Sequence, residues 1–439
     1  MRRPILTGKY IRSAIAVILG IAALILLLRA ARSGQVTQAD TGLPSLEITL
    51  ADVSLEELNA GTKDERYEGN SLVINSAGFG GPSAEKTVEI KGRGNNSWKM
   101  PKRSYQIRFD EKESLFGMEP AKKWVLLANY ADASLMRNRL MLDLAGELMD
   151  YVPDSQYVDL YVDGNYLGNY LLCEKIEIGT GRVELTDRES LLVELDNYYY
   201  WESEDRFQSS VSGSWFILKD SVADDLDQAD SIAEKAFAGL EDDINRFEEL
   251  LYTEEKDWDA ISSMIDVESF ISYYFLEEFA ENSDSCRTSI YLYRDGPDDT
   301  LHMGPVWDFD KAVGYSKRQK YGGDPEADYV SRIEDYMGTD RNTTWFTELF
   351  QIPEFQEAAC SIYEEKIEAI FLSAGERIDA YSKEIRQSAA MNSEIWDISD
   401  IPVNCDHEPY EYTCWEESVE GLRQWVEERV SSLSARFCR

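Results

Sequence analysis

Histidine is nearly missing from this chain: His302 and His407 are the two in 439 residues. A His-rich zinc site or a triad built on His would have to use one of them. The six cysteines (173, 286, 360, 405, 414 and 438) include no CxxC pair, which argues against a zinc ribbon or a thioredoxin-like motif. Cys405 and Cys414 share a loop containing Pro and Asp, and either close a small disulfide in an oxidising compartment or stay free thiols. Glycine and proline, 27 and 12, are too few for a disordered chain. Bases are scarce too, 44 against 83 acids, for a net charge of −39. Residues 1–32 hold six bases and no acid, so the remainder carries about −45. Nucleic acid and anionic lipid are therefore poor partners for the body, and the acidity reads as a solvated surface.

What is present is ample core material, 43% apolar and 12% aromatic, in a chain longer than one core usually fills. Two packed lobes with appendages are expected. Arg2, Arg3, Lys9 and Arg12 precede the uncharged run Ser13–Leu28, and Arg29 and Arg32 follow it. The run is read as an uncleaved transmembrane anchor with a cytoplasmic basic end, a cleaved signal peptide being the alternative. Either way the body lies outside the cytoplasm. The expected segments are 1–32 anchor, 33–44 linker, 45–200 β-rich lobe, 201–345 second lobe with the chemical loops, and 346–439 helical extension.

From Leu46 the pattern is strand-like: LEITL, SLVIN and KTVEIKG, then SYQIRFD at 104–110, separated by Gly, Asn and Ser clusters. Asp132 is placed to cap a helix over about 133–149, where Met136, Leu140, Leu144 and Leu148 recur on one face. Strands at 157–162 and 169–176 flank the turn Asp163-Gly164-Asn165. Residues 219–259 carry fifteen acids and four bases with weak periodicity, and read as surface helices or a connection. Asp266 caps an amphipathic helix over 267–280, and the chain from Trp345 to Phe437 is mostly helical in pattern. The fold class is α+β.

Two acidic loci follow long apolar elements: Asn282-Ser283-Asp284 and Trp307-Asp308-Phe309-Asp310. Phosphoryl transfer needs one carboxylate to hold metal against phosphates and another to orient the attacking hydroxyl. Protein kinases place these in D-x-x-x-x-N and D-F-G. Here Ser289 follows Asp284 by five positions, where a kinase has Asn, and its shorter hydroxyl reaches a second metal less easily. By spacing alone such motifs arise by chance in acidic chains.

Five ordered blocks add specificity: GRGNNSWKMPKRSYQIRFD (92–110), KKWVLLANYADASLMRN (122–138), YVDLYVDGNYLGNYLLCEKIE (157–177), LLVELDNYY (191–199) and EEFAENSDSCRTSIYLYRD with GPVWDFDKAVG (277–314). Together they resemble the CotH (spore coat protein H) kinase family over about residues 46–315. The resemblance implies an atypical, two-lobed protein-kinase-like fold that uses ATP and Mg²⁺ or Mn²⁺ to phosphorylate Ser/Thr of extracytoplasmic proteins. Residue by residue, it implies Asp284 as the catalytic-loop aspartate and Asp308 as the metal aspartate, with Asn282, Asp310 and Ser289 assisting. It implies Lys102 as the phosphate-contacting lysine, Arg137 as its helix-borne support and Glu174 near an adenine-binding hinge. Gly92 and Gly94 would let backbone N–H groups approach phosphates, as glycine permits.

Two other functions fit parts of the pattern. One is a catalytically silent surface or coat scaffold. The other is a glycoside hydrolase using Asp308 and Asp310, roughly 6–7 Å apart if on one strand face. Residues two apart on a strand are poorly placed to flank a sugar bond, so that reading ranks last.

Overall fold

The computed structural model describes residues 41–81, 83–225, 229–285, 287–315, 345–400 and 412–437. The expected anchor at 13–28, Cys405 with its pairing, and His407 lie outside these residues. No helix among the described residues is long and apolar enough to cross a membrane.

Seven strands close a barrel: β1 (Ser45–Thr49), β2 (Arg66–Asn75), β3 (Ala84–Arg93), β4 (Ser104–Glu113), β5 (Ala121–Leu127), β6 (Ser155–Val162) and β7 (Asn165–Glu174). Their order is β1-β2-β3-β4-β5-β7-β6, and β6 pairs parallel with β1 to close the ring. Alternation dictates the lumen. Ile48, Leu72, Ile90, Ile107, Trp124, Leu126, Leu160 and Leu172 point inward and are fully buried. Val125, Tyr157, Leu171 and Cys173 of the same strands face a second core outside the barrel. A short helix α1 (Leu55–Ala60) with a Ser54–Glu57 capping box joins β1 to β2.

The second core is built on a five-stranded antiparallel sheet. It comprises β8 (Leu191–Leu195), β9 (Arg206–Gln208), β10 (Trp215–Ser221), β11 (Ile290–Arg294) and β12 (His302–Met303), in the order β12-β11-β8-β10-β9. Because β8 pairs with β10 and β11, this sheet runs across position 200. A lobe boundary there would cut it.

Helices cover the sheet. The expected 133–149 helix is shorter, α2 at Arg137–Ala145. Asp132 still serves its start: it accepts from the N–H groups of Ser134 (2.9 Å) and Arg137 (2.8 Å), while Leu135 at φ 65 holds the chain in a turn until then. The acidic segment contains α3 (Ala229–Leu251), whose buried face is Ala233, Ala236, Leu240, Ile244, Phe247 and Leu251. Alanines supply the first turns of that face, which is why the periodicity is faint in sequence. After α4 (Trp258–Ser262), α5 (Val267–Ala280) begins at Asp266, which accepts from Ser269 N–H at 2.7 Å. Then come α6 (Trp345–Leu349), α7 (Pro353–Ile362), α8 (Glu368–Leu372), α9 (Ala374–Ile395) and α10 (Trp415–Arg436). They are continuous with the core under the sheet. The fold is thus α+β, β-rich early and helical late.

Candidate active site

A cleft of about 480 Å³ lies between the barrel and the second sheet. Asp284, Ser289, Asn282, Asp308, Asp310, Gly92 and Gly94 all line it. The two acidic loci and the glycine loop, far apart in sequence, meet there.

Each is set by local structure. Helix α5 is buried along every residue from Phe270 to Ala280, so it cannot shift as a surface helix would. It stops at Glu281, whose φ of 49 turns the chain out of the helix. Asn282 Oδ1 then accepts from Asp284 N–H at 3.1 Å, and Asp284 C=O accepts from Arg287 and Thr288 N–H, forming a tight turn. Arg287 Nη2 donates to Asp284 Oδ1 at 3.1 Å and Nη1 to Tyr198 Oη at 3.0 Å. Thr288 Oγ1 donates to Asp196 on the neighbouring strand end at 2.8 Å. Ser289, at φ 57, leads into β11.

The second loop leaves β12 and reaches Asp308 at φ 71. Phe309 is wholly buried, and its N–H donates to Asn138 Oδ1 of α2 at 2.8 Å. That anchor turns Asp308 and Asp310 toward the cleft. Both carboxyls lie between the cleft walls, and that desolvation raises them above their ordinary range although Asp308 keeps contact with solvent. Asp310 and Asp284 add like charge around Asp308; around Asp310, Lys311 opposes the shift while Asp132 and Asp284 add to it.

Around these acids the cleft gathers cations in an otherwise acidic protein: Lys63, Lys91, Arg93, Lys175, Lys219 and Lys311. Lys219 lies 2.6 Å from Glu194, a pair formed where β10 lies against β8. Arg93 lies over the Trp307 ring at 5.1 Å, joining the glycine loop to the Asp308 loop. A Cβ on Gly92 would fall 2.7 Å from Trp98, and Gly94 holds φ 85, so both positions require glycine. Arg93, Lys175, Glu194 and Lys311 lie inside the sequence blocks quoted above. Lys219 becomes a cleft residue only through sheet pairing.

Three expected site residues lie elsewhere. Lys102 is buried, and its ammonium donates to Ala128 C=O (2.7 Å), Asn169 C=O and Asn392 Oδ1 (2.9 Å), tying the barrel to α9. These acceptors sit where the barrel meets α9, and Lys102 is not among the residues lining the cleft. Glu174 is buried at the end of β7, accepting from Asp154 N–H at 3.1 Å, and the neighbouring Lys175 faces the cleft instead. Arg137 is wholly buried and pairs with Asp132. It donates to the carbonyls of Ala312 (3.0 Å), Val313 (3.2 Å) and Gly314 (3.1 Å), so it holds the Asp308 loop from behind.

The donor set is oxygen-only, which suits a hard divalent cation. Among the described residues no three His, Cys, Asp or Glu form a metal cage by themselves. Magnesium held by one or two carboxylates, ligand phosphates and water fits such a set.

The family model described as CotH kinase protein matches residues 90–433. The inner spore coat protein H of Bacillus subtilis (strain 168) is 25% identical over 285 residues, 65% of this chain and 72% of that protein. The Helicobacter pylori proinflammatory kinase CtkA superposes over 75% of this chain and 90% of its own, at 11% identity and a TM-score of 0.29. So loose a superposition carries no inference.

Proposed function

This chain belongs to the CotH kinase protein family, and from that premise we propose that it is an ATP-dependent phosphotransferase acting on Ser/Thr hydroxyls of extracytoplasmic proteins. One observation carries the reading: the Asp284 loop, the Asp308 loop and the Gly92–Gly94 loop line a single cleft together with six cations. Cations and a glycine turn at the end of β3 suit a polyphosphate, and crowded carboxylates suit a divalent cation.

In this reading Asp308, assisted by Asp310, holds Mg²⁺ or Mn²⁺, whose chemistry is to neutralise charge on the phosphates. Lys219, Arg93 and Lys311 take the role expected of Lys102. Asp284 orients the acceptor hydroxyl and accepts its proton, and Arg287 keeps that carboxylate aimed. The body is taken as extracytoplasmic because basic residues precede the apolar run at 13–28.

The test is twofold. ATP with Mg²⁺ or Mn²⁺ is expected to raise the melting temperature, and labelled γ-phosphate is expected to reach the protein itself or a Ser-rich acceptor. Absence of both under either metal would favour the silent scaffold.

A further inference from the structure

The helical extension ends in α10, which contributes no residue to the cleft lining. Yet Arg429 of α10 is wholly buried at the C-terminus of α5. Its Nη2 donates to Glu278 C=O and to Glu278 Oε1 (2.9 Å), its Nε donates to Phe279 C=O (3.4 Å), and its Nη1 pairs with Glu281 at 3.3 Å. The last carbonyls of a helix lack intrahelical donors and carry partial negative charge, so a guanidinium fork there satisfies both demands. Glu281 is the residue that turns the chain, and Asp284 follows within the same turn.

One helical turn earlier, Trp425 lies against Gly314; a Cβ there would fall 2.3 Å from the indole. Gly314 at φ 63 ends the segment whose carbonyls Arg137 holds. Val313 N–H donates to Ala280 C=O at 2.7 Å, joining the two loops directly. Trp415, at the start of α10, donates to Ser134 C=O at 3.0 Å, beside the turn that leads into α2. One face of α10 therefore touches the roots of both acidic loops.

We propose that Arg429 is a positioning residue which, with Trp425, fixes the end of α5 and so the placement of Asp284 relative to Asp308. The extension then positions the catalytic loops without touching substrate, and its loss is felt in turnover more than in nucleotide binding. This rests on the phosphotransferase reading.

Arg429→Lys keeps the charge and loses the fork. Expected are a kcat for γ-phosphate transfer at least tenfold below wild type, a KM for ATP within twofold, and lost hydrogen-exchange protection confined to residues 278–288 and 308–314. Wild-type kcat in Arg429→Lys would overturn the proposal, as would loss of protection spread equally over β4 and β5. Should Arg429→Lys fail to fold, the charge-free set Arg429→Met, Glu278→Gln and Glu281→Gln removes the fork without stranding a buried charge, and is read by the same measurements. If wild type itself transfers no phosphate, the phosphotransferase reading falls, and exchange protection alone decides the clamp.

Discussion

Arg287 reaches Asp284 across a single turn, with Nη2 to Oδ1 at 3.1 Å, while its other terminal nitrogen is held by Tyr198. The guanidinium thus fixes one face of the carboxylate and leaves the other toward the cleft. Asp284 remains 36% exposed. The pair is worth little in stability, on the order of 0.2–1 kcal/mol. Arg287→Ala is expected to lower phosphate transfer by about tenfold or more, in line with lost orientation of a general base. The melting temperature should move little. A calorimetric scan beside a transfer assay checks both.

Asp284 and Asp308 separate two roles. Asp284→Asn should lower turnover about 10²–10⁴-fold with nucleotide affinity kept, because an orienting base acts in the transition state. Asp308→Asn should abolish the metal-dependent part of nucleotide binding. Titrating ATP with and without Mg²⁺ into each variant distinguishes them, and equal loss of affinity in both would refute the division of labour.

Lys102→Met tests the reassignment of that lysine. The side chain donates to two carbonyls and Asn392 in a buried site. Orphaning those acceptors should destabilise the protein by about 1–3 kcal/mol per group left unmade. KM for ATP should stay at the wild-type value. Lys219→Met should do the reverse, raising KM with a smaller change in stability. Urea unfolding and steady-state kinetics on the two variants provide the comparison.

Glu174 gives a pH signature. Burial pushes its carboxyl up to about 7, against the lowering effect of the Asp154 N–H and Arg182. A carboxyl with a raised folded pKa binds more protons in the native state than in the unfolded one between about 4.5 and about 7. Its contribution to stability therefore falls as pH rises through that window. Glu174→Gln should flatten the profile there, by an amount on the order of 3 kcal/mol. Denaturation curves of wild type and variant from pH 4.5 to 8 measure the difference.

The basic and apolar residues at 1–32 set a topological expectation for the full chain. It should sediment with membranes, and its body should be digested by protease added outside the cell. Recovery of a shortened, freely soluble protein would show a cleaved signal in place of an anchor.

How much of this was legible before folding follows from the range of the forces involved. Local signals are written in neighbouring residues. Asp266 ahead of Val267–Ala280 announced α5, Asp163-Gly164 announced the β6–β7 turn, and alternation in Ser104–Asp110 announced β4. Asp284, Asp308, Gly92 and Gly94 were singled out because turn-forming segments and quoted blocks contain them, and they do share the cleft. Alternation could not say that seven strands close into a ring, since closure depends on the parallel pairing of β6 with β1 across the chain. Nor does a lysine's place before a strand reveal which side of the barrel wall it meets. Lys102 meets the carbonyls of Ala128 and Asn169 and the side chain of Asn392 on α9, and Lys219 comes to the cleft because β10 lies beside β8. The resemblance gives Arg137 a role beside a lysine, and nothing local marks Arg429. Only packing brings their guanidinium groups to the carbonyls behind the acidic loops, because those partners lie on elements far away in sequence. The residue types and turns of the site were thus decided locally by the sequence. What stands behind them was decided by tertiary contacts, whose energies depend on burial and geometry that no local window contains.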